Sequence, residues 1–297
     1  MIRVAVPAPT RRDLLRQGAA LAGALALPAA LRGAAVGPPD IRFGLVTYLW
    51  GADLGLDALI AACAAGGLRG VELRTTHAHG VEPALDSRQR RELRARLADS
   101  PLEWVGLGSD ERFDHPDPLA LTRAIEVTMD FLRLSRDIGA TGVKVKPDSF
   151  HEGVPREQTI EQIGRALRVV GRHAAELGQA VRLEVHGGCA DPPTIAAILE
   201  VADHPAVGVC WNCNAQDLGG DGLEANFALL RPRFGDTLHV RAHDRHDYPY
   251  AELTRMLTAS QWRGWMLLEA RGELPADRAA AFAAQRAAFR RLLDAAQ

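Results

Sequence analysis

The sequence predicts an α/β protein with a single domain, a (β/α)8 TIM barrel. Eight short apolar runs alternate with eight amphipathic stretches over about 255 residues, which is the count and length typical of this barrel. The composition, 47% hydrophobic and 24% charged, indicates a globular chain with a large core. A doubly wound open sheet is the alternative, but the phosphate-binding glycine motif expected after one of its early strands is missing from the sequence.

The first 35 residues differ in composition from the rest of the chain. An arginine pair within Thr10–Leu15 precedes an uncharged Ala/Leu/Gly-rich run, Gly18–Leu31, which is short for a membrane span. This order predicts a twin-arginine-like export signal over residues 1–35, cleaved after Ala30 or near Ala35. We therefore expect a periplasmic or exported protein without a membrane span after cleavage; an N-terminal helix of the fold is the alternative. The barrel would occupy residues 41–297.

The predicted strands are short runs rich in Val, Leu and aromatic residues, bounded by glycine or polar residues. In chain order they are Phe43–Leu49, Gly70–Leu73, Leu102–Leu107, Gly142–Lys146, Val181–His186, Val207–Trp211, Thr237–Val240 and Trp265–Glu269.

The predicted helices lie between these strands, with the last one after the eighth. They are Leu54–Ala65, Ser87–Ala98, Pro118–Ile138, Arg156–Leu177, Pro192–Val201, Gly222–Leu230, Tyr250–Thr258 and Ala276–Leu293. In the fourth, Ile163, Leu167 and Val170 recur at three- and four-residue steps and so share one face. Asp191 followed by proline is typical of a helix start, and Gly139 of a helix end.

Charge and cysteine content narrow the classes of function. The net charge of −2 and the lack of a basic block with interleaved aromatic residues argue against binding to nucleic acid. Cys210 and Cys213 form a C-x-x-C pattern, but residues three apart on a strand face opposite ways. We therefore expect packing cysteines rather than a redox pair or a zinc site.

The strongest functional signal is a pair of glutamates at predicted strand ends. Glu184 and His186 are two residues apart and share one face of the fifth strand, and Glu269 ends the eighth. The carboxyl ends of the strands meet where TIM barrels place their active sites. A carboxylate inside a barrel is costly unless it is paired or bound to a metal, so Glu184 and Glu269 are predicted site residues. A surface strand whose charged face meets solvent is the alternative.

Other polar side chains collect at the same strand ends. Because a closed barrel has no edge, two lysines on one face of the fourth strand are predicted to point into the barrel or its mouth. The residues that we expect to contact a substrate are Lys144, Lys146, His186, Arg241, His243, His77, His79 and Asn214.

Four strand-end side chains together suit a hard divalent cation. Glu184, Glu269, His239 and the amide oxygen of Asn212 form an oxygen-rich set with one imidazole, which favours Mn²⁺ or Mg²⁺, with Co²⁺ or Zn²⁺ as alternatives. Such a cation would polarise a substrate carbonyl. Glu184 and Glu269 would then remove and return a proton next to that carbonyl through an enediolate.

The strand-end segments also resemble a known family, the sugar phosphate isomerase/epimerase family of xylose isomerase-like barrels, over about residues 41–295. The matching segments are GVELRTTHAHGVEP (70–83), GATGVKVKPDSF (139–150), VRLEVHGG (181–188), ADHPAVGVCWNCN (202–214), DYPYAEL (247–253) and GWMLLEA (264–270).

The resemblance implies a metal held by Glu, Asp, His and Glu from the fifth to eighth strands. These positions correspond to Glu184, Asn212, His239 and Glu269, with His243 as the alternative histidine. It also implies that the two glutamates form the acid–base pair. Asn212 departs from the family pattern, because a neutral amide replaces a carboxylate and leaves the site one unit more positive.

These observations predict a metal-dependent isomerase or epimerase that acts on a carbohydrate. Export favours an unphosphorylated sugar or keto-sugar. A lyase or dehydratase with the same enediolate step is the first alternative, and a non-catalytic carbohydrate-binding barrel is the second. A related DNA-repair barrel with several zinc ions is disfavoured by the near-neutral charge and the few suitable histidines. The sequence leaves open whether the chain forms a homo-oligomer.

Overall fold

A closed barrel of parallel strands forms the body of the protein. The computed structural model describes residues 40–243 and 247–297, so the predicted export signal lies outside the described residues. The strands follow one another in chain order around the barrel, and the first pairs with the eighth. The predicted (β/α)8 barrel is confirmed.

Strands and helices alternate throughout the described part of the chain. The strands are β1 Ile41–Val46, β2 Gly70–Arg74, β3 Glu103–Arg112, β4 Gly142–Lys146, β5 Ala180–Glu184, β6 Val207–Trp211, β7 Phe234–Val240 and β8 Gly264–Leu268. The helices are α1 Leu56–Ala65, α2 Ser87–Ala98, α3 Pro118–Ile138, α4 Arg156–Glu176, α5 Pro192–Ala202, α6 Leu223–Leu230, α7 Tyr250–Ala259 and α8 Arg278–Ala295.

The predicted boundaries differ most at β1 and β3. β1 stops at Val46 rather than Leu49, because the Tyr48 N–H turns back to the Val46 carbonyl. β3 continues past Leu107 to Arg112, with register shifts against both of its neighbours. Such bulges re-aim the strand near the barrel rim, and the hydrophobic pattern does not reveal them.

Local sequence signals account for several helix ends. The Asp86 carboxylate accepts from the Gln89 N–H, and the Gln89 side chain accepts from the Asp86 N–H, forming a capping box at the start of α2. Asp191 caps α5 by accepting from the Thr194 N–H, as its sequence predicts. Gly139 follows α3 with φ of 86°, a conformation that favours glycine.

The apolar core lies mainly between the barrel and the helices. Val71 and Leu73 of β2 and Val143 and Val145 of β4 face this outer layer, so the alternate residues of those strands point inward. Inside the barrel a smaller apolar cluster contains Val46, Val105, Trp265 and Leu267. The rest of the interior is polar, and it leads to the carboxyl ends of the strands.

A buried ion pair lies toward the amino ends of the strands. Arg182 of β5 is fully buried and donates to both carboxylate oxygens of Asp236 at 2.7 and 3.0 Å. It also donates to the Val105 carbonyl at 3.1 Å. These contacts satisfy the buried guanidinium within the barrel itself.

The described helices contain none with the length and apolar character needed to cross a membrane. All four cysteines are free and buried. Cys213 packs in the core between the barrel and the helices, as expected, whereas Cys210 is buried but belongs to neither apolar cluster.

Candidate functional site

Three buried side chains converge at the carboxyl ends of the strands. Glu184 is the last residue of β5, His239 lies near the end of β7, and Glu269 follows β8. Each offers one ligand atom, and these atoms all lie within 4.8 Å of one another. Two carboxylates and an imidazole at this separation can hold one metal ion.

Asn212 adds an amide next to this group. It follows β6, is buried, and its Nδ2 donates to Glu184 Oε1 at 2.9 Å. The next residue, Cys213, has φ of 50°, so the chain turns immediately after the amide. Because the amide nitrogen contacts Glu184, the amide oxygen is the atom that remains for a cation.

Lys144 of β4 neutralises the charge of Glu184. Its Nζ lies 2.7 Å from Glu184 Oε2, and both side chains are buried. Burial alone would raise the pKa of Glu184, but the ammonium of Lys144 and the neighbouring His239 hold it well below its usual range. Burial likewise lowers the pKa of Lys144, but the Glu184 and Glu72 carboxylates raise it overall. Both groups are therefore charged at neutral pH.

His239 stands between two carboxylates. Its Nε2 lies 3.1 Å from Glu72 Oε1, and its Nδ1 lies 3.6 Å from Glu184 Oε1. Within the described residues, the buried Nδ1 lacks a hydrogen-bond partner of good geometry. A buried nitrogen left over beside Glu184 and Glu269 fits the donor set of a divalent cation.

The rim of the site carries further charged pairs. Lys146 Nζ and Arg74 Nη2 both contact Asp110 Oδ1, at 2.9 and 3.0 Å. His186 Nδ1 lies 2.8 Å from Asp148 Oδ1, and this hydrogen bond lowers the pKa of Asp148 to about 2. The mouth of the barrel is thus lined with fixed positive and negative groups that suit a polyhydroxylated ligand.

The family model described as xylose isomerase-like TIM barrel matches residues 60–292. The chain belongs to this family. No curated protein sequence matches this chain.

Many solved structures share the fold of this xylose isomerase-like barrel, among them the following three. An L-ribulose 3-epimerase has 17% identity and a TM-score of 0.74, covering 86% of this chain and 95% of that one. A "probable 3-DHS dehydratase" of Bacillus anthracis has 16% identity and a TM-score of 0.62, covering 84% and 98%. The IOLI protein, solved with a zinc atom, has 12% identity and a TM-score of 0.69, covering 86% and 98%.

Two of the predicted substrate contacts in this xylose isomerase-like barrel follow β2. His79 is buried, its Nε2 donates to the Arg74 carbonyl at 2.8 Å, and its Nδ1 accepts from the Val81 N–H at 3.1 Å. Burial lowers its pKa to about 4. His79 therefore braces the loop with both ring nitrogens. His77 is partly exposed and lies 3.2 Å from the Thr47 hydroxyl.

Two more predicted residues lie farther around the rim. The His243 ring packs against Phe43 and Tyr250, with centroids 5.2 and 5.0 Å apart, while His239 belongs to the convergent group. The Arg241 guanidinium lies at the mouth, 3.8 Å from a carboxylate oxygen of Asp247.

Asn214 belongs to a buried network beneath the β6 loop. Its side chain donates to the Val185 carbonyl, and its backbone N–H donates to Asp217 Oδ2 at 2.8 Å. The Tyr248 hydroxyl donates to the same oxygen at 2.9 Å and accepts from the Trp211 indole at 3.0 Å. Burial raises the pKa of Asp217 to about 7.

Sequence reasoning assigned no role to three acidic residues of the site. Glu72 contacts His239, Asp110 bridges Arg74 and Lys146, and Asp148 pairs with His186. Glu72 did carry a signal, because it alternates with the outward-facing residues of β2 and so points into the barrel. The contacts of Asp110 and Asp148 could not be predicted, because β3 shifts register against β4 between Gly108 and Arg112 and because Asp148 has the rare φ of 68°.

Proposed function

We propose that this protein is a metal-dependent isomerase or epimerase of an unphosphorylated sugar or keto-sugar. The convergence of Glu184, His239 and Glu269 within 4.8 Å at the barrel mouth is the observation that carries the proposal. The epimerase among the structures with the same fold supports this class of reaction.

Glu184, Asn212, His239 and Glu269 would hold the cation, with Mn²⁺ or Mg²⁺ favoured by the oxygen-rich set. When bound, the cation supplies positive charge that polarises a substrate carbonyl. The zinc atom in the IOLI structure supports a metal in a barrel of this fold.

The two glutamates would transfer the proton next to that carbonyl. Glu184 is held ionised by Lys144, and Glu269 is paired with Arg271 at 3.0 Å on the solvent side. One carboxylate would remove the proton, and the other, which has taken up a proton from solvent, would return one to the opposite face of the sugar. Lys146, Arg241 and His186 at the rim would orient the hydroxyl groups.

A proton-exchange assay tests this reaction. The protein is incubated with Mn²⁺ and a panel of unphosphorylated ketopentoses and ketohexoses in deuterated water, and NMR detects deuterium next to the carbonyl. We expect exchange with at least one sugar, and a loss of about 100-fold or more in Glu184→Gln and Glu269→Gln.

Glu273→Gln is the matched control, because Glu273 is exposed in the same loop as Glu269. It should keep the exchange rate of the wild-type protein. Full activity of Glu184→Gln or Glu269→Gln would remove that residue from the acid–base pair. Lack of exchange with every sugar would reject proton transfer for those substrates and favour the carbohydrate-binding alternative.

A lyase or dehydratase is the second candidate, and the dehydratase of the same fold supports it. It would share the first proton transfer but expel a β-oxygen instead of taking the proton back. Product analysis distinguishes the two: an epimer keeps the mass of the substrate, whereas a dehydrated product loses one water.

We also propose that residues 1–35 direct export by the twin-arginine route. The arginine pair and the uncharged run that follows support this proposal. Amino-terminal sequencing of periplasmic material should give a chain that starts after Ala30 or near Ala35. Intact Met1 on that material would contradict it.

A further inference from the structure

A third buried carboxylate, Glu72, lies next to the proposed metal site. Glu72 is fully buried, and its Oε1 lies 3.1 Å from Nε2 of His239. It is contributed by β2, whereas the proposed ligands come from β5 to β8. The contact joins two residues 167 positions apart in the chain.

The packing around Glu72 shows that the barrel accommodates this side chain. A Cβ on Gly108 of β3 would lie 3.1 Å from Glu72 Oε1, so glycine leaves the room that the carboxylate occupies. Glu72 Oε2 has no hydrogen-bond partner among the described residues. Burying an ionised carboxylate with one unsatisfied oxygen is costly, and an apolar residue would fill a barrel interior at lower cost. The hydrogen bond with His239 is a contact that an apolar residue would not provide.

The geometry points to Glu72 as a positioning residue that accepts the Nε2–H of His239 and thereby directs Nδ1 toward the metal. This inference rests on the proposed metal site. An imidazole with its proton on Nε2 has its lone pair on Nδ1. That nitrogen lies 3.6 Å from Glu184 Oε1 and has no hydrogen-bond partner in the described part of the chain. A carboxylate on the far nitrogen also makes the ligating nitrogen more basic.

Metal affinity measured in two glutamate variants tests this role. Glu72→Gln keeps an oxygen that can accept from His239 but removes the charge, and Glu72→Leu removes the acceptor. Titration of the full chain with Mn²⁺ at one pH, followed by electron paramagnetic resonance, should show the order wild type, Glu72→Gln, Glu72→Leu from tight to weak. We expect the leucine variant to bind about 10- to 100-fold more weakly.

A double-mutant cycle separates positioning from a simple charge effect. If Glu72 acts through the imidazole, Glu72→Gln should weaken Mn²⁺ binding in the wild-type background but change little in His239→Gln. Glu111→Gln is the charge control, because Glu111 lies half-buried on β3 without a contact to His239 among the described residues. It should leave the affinity unchanged, and circular dichroism confirms that each variant is folded.

The outcomes distinguish the positioning role from the metal site itself. A wild-type protein that does not bind Mn²⁺ would overturn the proposed site, and the role of Glu72 with it. Wild-type binding that both Glu72 variants retain would overturn only the role of Glu72. Equal weakening by Glu72→Gln in both backgrounds would do the same, because the effect would then not pass through His239.

Discussion

Replacing Asn212 with aspartate changes the charge balance at the centre of the site. Asn212 Nδ2 donates to Glu184 Oε1 at 2.9 Å, and both side chains are buried. Aspartate would put a second carboxylate where the donor now lies. We expect the metal-free Asn212→Asp protein to be less stable than the wild type, and a divalent cation to restore most of the loss.

The size of the effect follows from the contact distance. Two unit charges about 3 Å apart repel by roughly 5 kcal/mol at an effective dielectric constant of ~20. Proton uptake limits this cost, since protonating a carboxyl group of ordinary pKa at pH 7 costs about 4 kcal/mol. The lost hydrogen bond adds about 1 kcal/mol, and the Lys144 ammonium beside Glu184 offsets part of the total. We therefore expect the free energy of unfolding to fall by about 3 kcal/mol.

Urea unfolding at pH 7, in EDTA and in saturating Mn²⁺, measures both parts of this prediction. A carboxylate binds the cation more strongly than an amide, so Asn212→Asp should bind Mn²⁺ more tightly than the wild type. A ligand at 100 times its dissociation constant contributes about 2.7 kcal/mol, which is comparable to the expected loss.

Asn226→Asp is the matched control for this experiment. Asn226 is also buried, and its Nδ2 donates to the carbonyls of Asp217 and Gly219 at 2.9 and 3.0 Å. The same chemical change there should destabilise the protein without rescue by Mn²⁺. The reasoning is refuted if Asn212→Asp is as stable as the wild type in EDTA, or if Mn²⁺ stabilises both variants equally.

Three further predictions follow from buried charge and backbone conformation. Lys144→Met should lower the free energy of unfolding in EDTA by about 3–5 kcal/mol, because it leaves the buried Glu184 carboxylate without its ammonium; an unchanged urea midpoint would contradict this. Asp217 has its pKa raised from 3.8 to about 7, so the folded chain binds the extra proton and stability should fall as pH rises from about 4 to 7. At ~1.4 kcal/mol per pKa unit, the free energy of unfolding should fall by about 4 kcal/mol over this pH range. Urea unfolding at several pH values should show this fall in the wild type and a much flatter pH dependence in Asp217→Asn. Gly187→Ala should lower the melting temperature by roughly 4 °C or more, because Gly187 has φ of 69° and an added Cβ would meet a backbone oxygen of the β4–α4 loop. Gly188→Ala is the control: there is room for a Cβ at Gly188, so the melting temperature should change little.

The fold was predictable because its signals are local. The steps between Ile163, Leu167 and Val170 define one face of α4, and all three are buried against the barrel. Asp191 before proline starts α5, as its capping chemistry predicts. The long β3 was not predictable, because its bulge arises from register with β2 and β4 rather than from its own residues.

The candidate site was predictable only in part. Glu184, His239 and Glu269 could be selected because an ionisable residue at a barrel strand end has a cost that function must justify. Their partners could not be selected. Lys144 was predicted as a substrate contact, and the structure pairs it with Glu184. Glu72 points into the barrel from β2, as Lys144 does from β4, but only its contact with His239 in the structure indicated a role.

The sequence by itself determined the barrel, the order of its strands and the face at which the polar strand-end residues collect. Periodicity and capping act over a few residues, so they can be read along the chain. Tertiary structure alone decided that Glu184 contacts Lys144 and Asn212, and that His239 lies between Glu72 and Glu184. These contacts join strands that are far apart in the chain, and their distances depend on the tilt and stagger with which the barrel closes.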